Sequence, residues 1–165
     1  MSLEEQLAAW IQGNVVIVGV GNPLRGGDAA GSLVSRQIAA SRAVSVIDAQ
    51  DVPENYVAAV VNCRPDTIVL IDSVDLGSEP GSVALLDRNQ IAGYWPSTHR
   101  VPLSLLMSVF ERETHARVFV IAIQPGHTEF LQAMNDAAGA SVAQVAGVLN
   151  RALAAAGSLR EEVSA

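Results

Sequence analysis

Residues 15–31 read VVIVGVGNPLRGGDAAG, and no other stretch restricts the fold as much. A continuous run of β-branched residues passes into a Gly-rich bend, and an acid, Asp28, stands at the start of the next helical pattern. An apolar run without polar alternation is a strand buried on both faces. Such strands belong to parallel sheets with helices packed on both sides, so this strand–bend–helix unit predicts an α/β protein. Sheets of that kind hold their ligands in the crevice outside the carboxyl ends of the strands.

The rest of the chain repeats the unit. Ser2 with Glu5 fits a capping box and predicts a helix over residues 2–12. Residues 44–47 form a second strand ending at Asp48, and Pro53 opens a helix with Val57, Val60 and Val61 inward. Residues 67–71 are a third strand ending at Asp72. Pro80-Gly81 marks a turn before an edge strand at 82–86, and residues 88–92 form one helical turn. Pro102 begins a helix to about residue 113 with Leu105, Leu106 and Val109 inward. A last strand covers 117–123, and residues 138–155 form a long Ala/Val/Leu helix. The order β-α-β-α-β-β-α-β-α predicts a single-domain three-layer α/β/α sandwich. Its twisted five-stranded sheet is mostly parallel, with one antiparallel edge strand. The domain spans residues 1–157, and residues 158–165 read as a flexible polar tail.

Charge narrows the partners. The chain of 165 residues has 17 acidic and 10 basic residues, a net charge of −7, and every basic residue is Arg. So acidic a surface repels phosphate backbones, which excludes nucleic acid as a partner. Cys63 is the only cysteine, so neither an internal disulfide nor a thiolate zinc cluster can form, and its apolar helical surroundings suit a packed thiol. The acidic start MSLEEQLAAW lacks the basic segment of a signal peptide, and no uninterrupted apolar run approaches about 18 residues. These features predict a cytoplasmic protein away from membranes, with monomer as the default state.

Each candidate functional residue also has a structural role open to it. Asp28 fits an N-cap or first-turn acid, and the helix dipole that favours its charge also suits a metal ligand. Asp72 is harder to explain structurally, because an acid directly after an apolar strand is costly to bury without a partner. His99, in the polar loop Ser97-Thr98-His99-Arg100, gains meaning only with Asp28 and Asp72 beside it. Two carboxylates and an imidazole meeting at the crevice would form a site for a hard or borderline cation. His127, after the last strand, would also line the crevice, whereas His115 and Asp75 read as surface residues. Arg25 and Arg100 flank the site, where they would hold an acidic substrate group or balance the carboxylates, although solvation alone also explains such arginines. Gly19, Gly21 and Gly26 do not fit G-x-G-x-x-G, and no Lys-Ser/Thr follows Gly26, so there is no P-loop. Asp48 stands where a ribose-binding acid would, which keeps a nucleotide-binding reading open. Neither H-E-x-x-H nor G-x-S-x-G occurs.

Taken together, GVGNPLRGGDAAG (19–31), VPEN (52–55), IDSVDLGSEPG (71–81), THRVPLSLL (98–106) and IQPG (123–126) resemble the [NiFe]-hydrogenase maturation proteases, in particular the hydrogenase 3 type. The resemblance covers residues 14–126 and implies a twisted sheet between helices. It implies an aspartic-type endopeptidase that removes the C-terminal extension of the hydrogenase large-subunit precursor after nickel insertion. It places the metal-contacting residues at Asp28, Asp72 and His99, with nickel carried by the substrate and no organic cofactor. The family usually has two adjacent acids in the first motif, and here the pair is Gly27-Asp28. That loss keeps a non-catalytic, metal-sensing binding protein or degenerate paralogue as an alternative.

Overall fold

The apolar runs assemble into one sheet. In the computed structural model, which describes residues 1–94 and 101–164, five strands take the order β2-β1-β3-β5-β4. They are β1 (Val15–Val20), β2 (Val44–Gln50), β3 (Thr67–Ser73), β4 (Val83–Leu86) and β5 (Arg117–Ile123). β2, β1, β3 and β5 pair in parallel, and β4 pairs antiparallel with β5 at the edge. A parallel pair needs a crossover, and the helices supply it. α1 (Leu3–Trp10), α2 (Ala30–Ser35) and α6 (Asp136–Ser164) cover one face, while α3 (Val57–Asn62), α4 (Arg88–Ile91) and α5 (Leu103–Thr114) cover the other.

Alternation along the strands divides the core in two. Ile17, Val69, Ile71, Phe119, Ile121 and Ile123 face α2 and α6, where they meet Val34, Val145 and Leu149. Val16, Val18, Ile68, Leu70, Val118 and Val120 face α5 and meet Leu106, Met107 and Phe110. Every residue of β1 and β3 is buried, as their unbroken apolar pattern requires. Each large aliphatic side chain removed from water there contributes roughly 1.5–3 kcal/mol against the entropy of ordering.

Several elements differ from the sequence expectation. The helix expected from residue 28 begins as a 3-10 turn, Gly26–Ala29, and α2 proper is short. Gly26, with a left-handed backbone (φ 51°), makes the bend that leads into this turn. α5 buries Leu103, Leu106, Met107 and Phe110, the i, i+3, i+4, i+7 stripe, so Leu105 points to solvent rather than inward. β3 runs two residues beyond the expected end, because Asp72 and Ser73 continue the ladder against Ala122 and Ile123. α6 runs from Asp136 to Ser164, longer at both ends than the expected 138–155. It is long and apolar enough to cross a bilayer by those two measures, yet its Ala138, Val142, Val145, Leu149 and Leu153 are core residues. The capping box on α1 forms as expected: Ser2 Oγ accepts from the Glu5 amide at 3.1 Å and Glu5 accepts from the Ser2 amide at 2.6 Å.

Candidate active site

The chain leaves β1 towards β2 on one side and later returns to β3 on the other, so the strand order reverses between β1 and β3. At such a switch point the loops leaving the two strands diverge and open a crevice at their carboxyl ends. Asp28 follows β1 and Asp72 lies at the end of β3, so both candidate acids border that crevice.

The bend after β1 is shaped by close packing. Gly21 (φ 146°) lies against the Asp28 carbonyl, and a Cβ on Gly31 would collide with the carbonyl oxygens of Val20 and Ile71. The 3-10 turn and the start of α2 are thereby seated on the ends of β1 and β3. Asp28 is 5% exposed, and both carboxylate oxygens are engaged. Oδ2 accepts from the Asn22 amide at 3.0 Å, and Oδ1 accepts from the Ser73 hydroxyl at 3.2 Å. Asp28 is therefore not an N-cap; its carboxylate reaches back to Asn22 and across to β3. Ser73 is itself buried and is the neighbour of Asp72. Asp72 is fully buried within β3. Its ladder partner is Ala122, a residue of the α5-side core, while Ser73 pairs with Ile123 of the α2-side core. Asp72 and Ser73 thus project to opposite faces of the sheet.

A second bracket holds the other rim. Gln124, buried at the end of β5, accepts through Oε1 from the amides of Leu76 (2.6 Å) and Ser78 (3.3 Å). Its Nε2 donates to Asp75 Oδ1 and to the Pro125 carbonyl, each at 3.3 Å. One side chain therefore joins the loop after Asp72 to the turn after β5. That turn in turn closes on the first loop, where the Gly27 amide donates to the His127 carbonyl at 2.5 Å.

The remaining sequence candidates divide clearly. His99 and Arg100 lie outside the described residues. His127 is exposed, and its carbonyl rather than its imidazole meets the Asp28 turn. Asp48 is occupied by Ser32 Oγ (2.7 Å) and Arg36 Nε (2.8 Å), which removes the acid that the nucleotide reading required. Asp75 and His115 are surface residues, as expected; His115 is the left-handed C-cap of α5 (φ 57°). Cys63 is half-buried and bonded through Sγ to the Ala59 carbonyl at 3.2 Å. Among the described residues no group of three His, Cys, Asp or Glu side chains is close enough to hold a metal ion. Sequence reasoning assigned no role to Ser73 or Gln124. The available signal was a polar residue directly following an apolar strand run, the same signal that singled out Asp72.

Comparison with known proteins gives a consistent result. Residues 30–151 match the family HycI, hydrogenase maturation protease. The chain is 32% identical over 124 residues to the hydrogenase 3 maturation protease of Escherichia coli K12, covering 73% of this chain and 79% of that one. Its fold is similar to the crystal structure of the [NiFe] hydrogenase maturation protease HycI from Thermococcus kodakarensis KOD1, with a TM-score of 0.83 and 27% identity over 92% of this chain and 99% of that one. The solution structure of the endopeptidase HycI from Escherichia coli is also similar, with a TM-score of 0.75 and 29% identity over 83% and 89%.

Proposed function

The chain belongs to the hydrogenase maturation protease family, peptide-bond hydrolases, and we propose that it removes the C-terminal extension of a [NiFe]-hydrogenase large-subunit precursor once nickel has been inserted. Asp28, Asp72 and His99 contact the nickel, which belongs to the substrate. The observation that carries this reading is the placement of two buried acids on either side of the switch point, on a chain of this family. In the same reading residues 1–157 are the protease domain, the protein is a cytoplasmic monomer, and no organic cofactor takes part.

Donor chemistry supports the assignment. Oxygen and imidazole ligands without thiolate give exchangeable sites for a borderline metal. Such a site senses a cation held by the substrate without removing it. Asp28 is presented with its carboxylate plane fixed by Asn22 and Ser73, so it meets an incoming ion without reorganising. Near the scissile bond, water is activated either by the cation or by one carboxylate acting as base.

The test is processing of nickel-loaded precursor by Asp28→Asn, Asp72→Asn and His99→Ala, followed by intact mass. Each variant is expected to slow trimming by about 10²-fold or more, the scale of a lost acid–base or metal contact. Near-normal trimming by all three would refute the site. Unchanged precursor mass with the wild-type chain would favour the metal-sensing binding protein instead.

A further inference from the structure

We propose that Leu24, Arg25, Phe130 and Leu131 form a docking surface for the C-terminal extension of the precursor, taking an apolar side chain together with a carboxylate; this rests on the substrate reading above. Leu24, Phe130 and Leu131 are 54%, 55% and 72% exposed. They come from two separate loops that are joined by a 2.6 Å hydrogen bond from the Leu131 amide to the Leu24 carbonyl. Single exposed leucines are ordinary, but large apolar residues gathered from two loops mark an interaction surface.

Leu131 carries an independent sign of function. Its backbone is left-handed (φ 63°), a conformation that costs a bulky L-residue about 1 kcal/mol or more. The hydrogen bond to Leu24 holds it there, and the side chain so presented points into water.

Charge selects the occupant. The Arg25 guanidinium lies 5.6 Å from the centre of the Phe130 ring, and among the described residues no carboxylate is within ion-pair reach of it. The acid on the same loop, Glu129, is engaged by Gln132 Nε2 at 2.6 Å. In a chain of net charge −7 this is a cation left available on an aromatic platform, suited to a carboxylate flanked by apolar groups. A C-terminal extension ends in a carboxylate.

Position completes the inference. Arg25 is three residues from Asp28, the Asp28 amide donates to the Arg25 carbonyl at 3.0 Å, and the Gly27 amide donates to His127. The lip therefore adjoins the turn that carries Asp28 at the crevice.

The experiment measures binding of the full chain to nickel-loaded precursor with its extension intact and to the same protein with the extension removed. Leu131→Gly, Arg25→Glu and Arg25→Lys are compared with wild type, and KM and kcat are read in parallel. Intact precursor is expected to bind more tightly than trimmed. Leu131→Gly and Arg25→Glu are each expected to weaken binding about tenfold and raise KM similarly with kcat held, and Arg25→Lys to fall between. Glycine favours positive φ, so Leu131→Gly retains or raises the melting temperature, which separates docking from folding. Affinities of both variants within about twofold of wild type would overturn the docking surface, as would equal binding of intact and trimmed precursor. Binding that depends on the lip without any cleavage would overturn the peptidase reading and leave the docking surface standing.

Discussion

Restoring a side chain at residue 27 would destabilise this protein. A Cβ on Gly27 would lie 3.0 Å from Pro125 Cβ, 3.1 Å from the Gly126 nitrogen and 3.1 Å from the His127 oxygen. All three neighbours belong to a turn that is anchored at Gln124 and tied to Gly27 itself by a 2.5 Å hydrogen bond. The turn therefore cannot retreat by the required few tenths of an ångström without loosening those bonds. Overpacking of this kind costs about 2 kcal/mol, and the lower entropy of an unfolded Ala chain returns about 0.7 kcal/mol, leaving about 1.3 kcal/mol for Gly27→Ala. At about 3 °C per kcal/mol for a domain of this size, the melting temperature falls by about 4 °C. Gly27→Asp, which recreates the paired acids of the family motif, falls further, because its carboxylate adjoins Asp28 in a buried turn. Thermal unfolding by circular dichroism, supported by urea titration, reads both variants. If Gly27→Ala melts at or above the wild-type temperature, the turn yields freely and the steric reasoning is wrong.

Gly31→Ala places a methyl group against the carbonyl oxygens of Val20 and Ile71; a loss of about 3 kcal/mol or more is expected by urea unfolding, and an unchanged midpoint would contradict the packing of α2 on the sheet. Gln124→Glu keeps the acceptor for Leu76 and Ser78 but loses both donors and sets a carboxylate beside Asp75. It should cost about 1–3 kcal/mol and raise amide exchange in residues 75–79, measured by hydrogen–deuterium exchange. Ser73→Ala removes the hydroxyl that donates to the buried Asp28 carboxylate, and a loss of about 1.5–3 kcal/mol in chemical denaturation is expected, with partial recovery in Ser73→Thr. The Glu5 carboxyl is held below its usual pKa of 4.5, first by the Ser2 amide and then by the Ser2 hydroxyl. A lowered folded-state pKa means that its contribution is present above the unfolded value and is lost as pH falls through the folded one. Ser2→Ala should move the Glu5 titration back upward in a carboxyl-detected NMR experiment.

The strands were legible because burial on both faces removes the ambiguity of alternation: VVIVGV and TIVLI read as parallel strands, and they are the sheet centre. Asp72 was legible for the same reason, since a charge that terminates an apolar run stands out, whereas Asp28 stood out by opening the helical pattern after the Gly-rich bend. Where the outcome depended on tertiary register, the sequence was silent. The ladder of β3 continues through Asp72 and Ser73 only because β5 offers partners of the right length. The inward face of α5 follows the stripe Leu103, Leu106, Met107 and Phe110 that packs on the sheet, and Leu105, just off that stripe, is turned out. Ser73 and Gln124 bond to groups more than forty residues away, a pairing that no local pattern encodes.

Successive residues of a strand face opposite ways, and this bears on how the site receives its substrate. Ser73 faces the α2 layer, where it reaches Asp28, whereas Asp72 faces the α5 layer. The two acids of the proposed site therefore come from both layers, across the carboxyl edge of the sheet, and not from a pocket within one layer. A free small ligand is best held by enclosure, with most of its surface buried. An ion that arrives already coordinated by another protein needs exchangeable donors and a rim that grips the carrier. The lip of Leu24, Arg25, Phe130 and Leu131, hydrogen-bonded to the Asp28 turn, supplies such a rim on the α2 side.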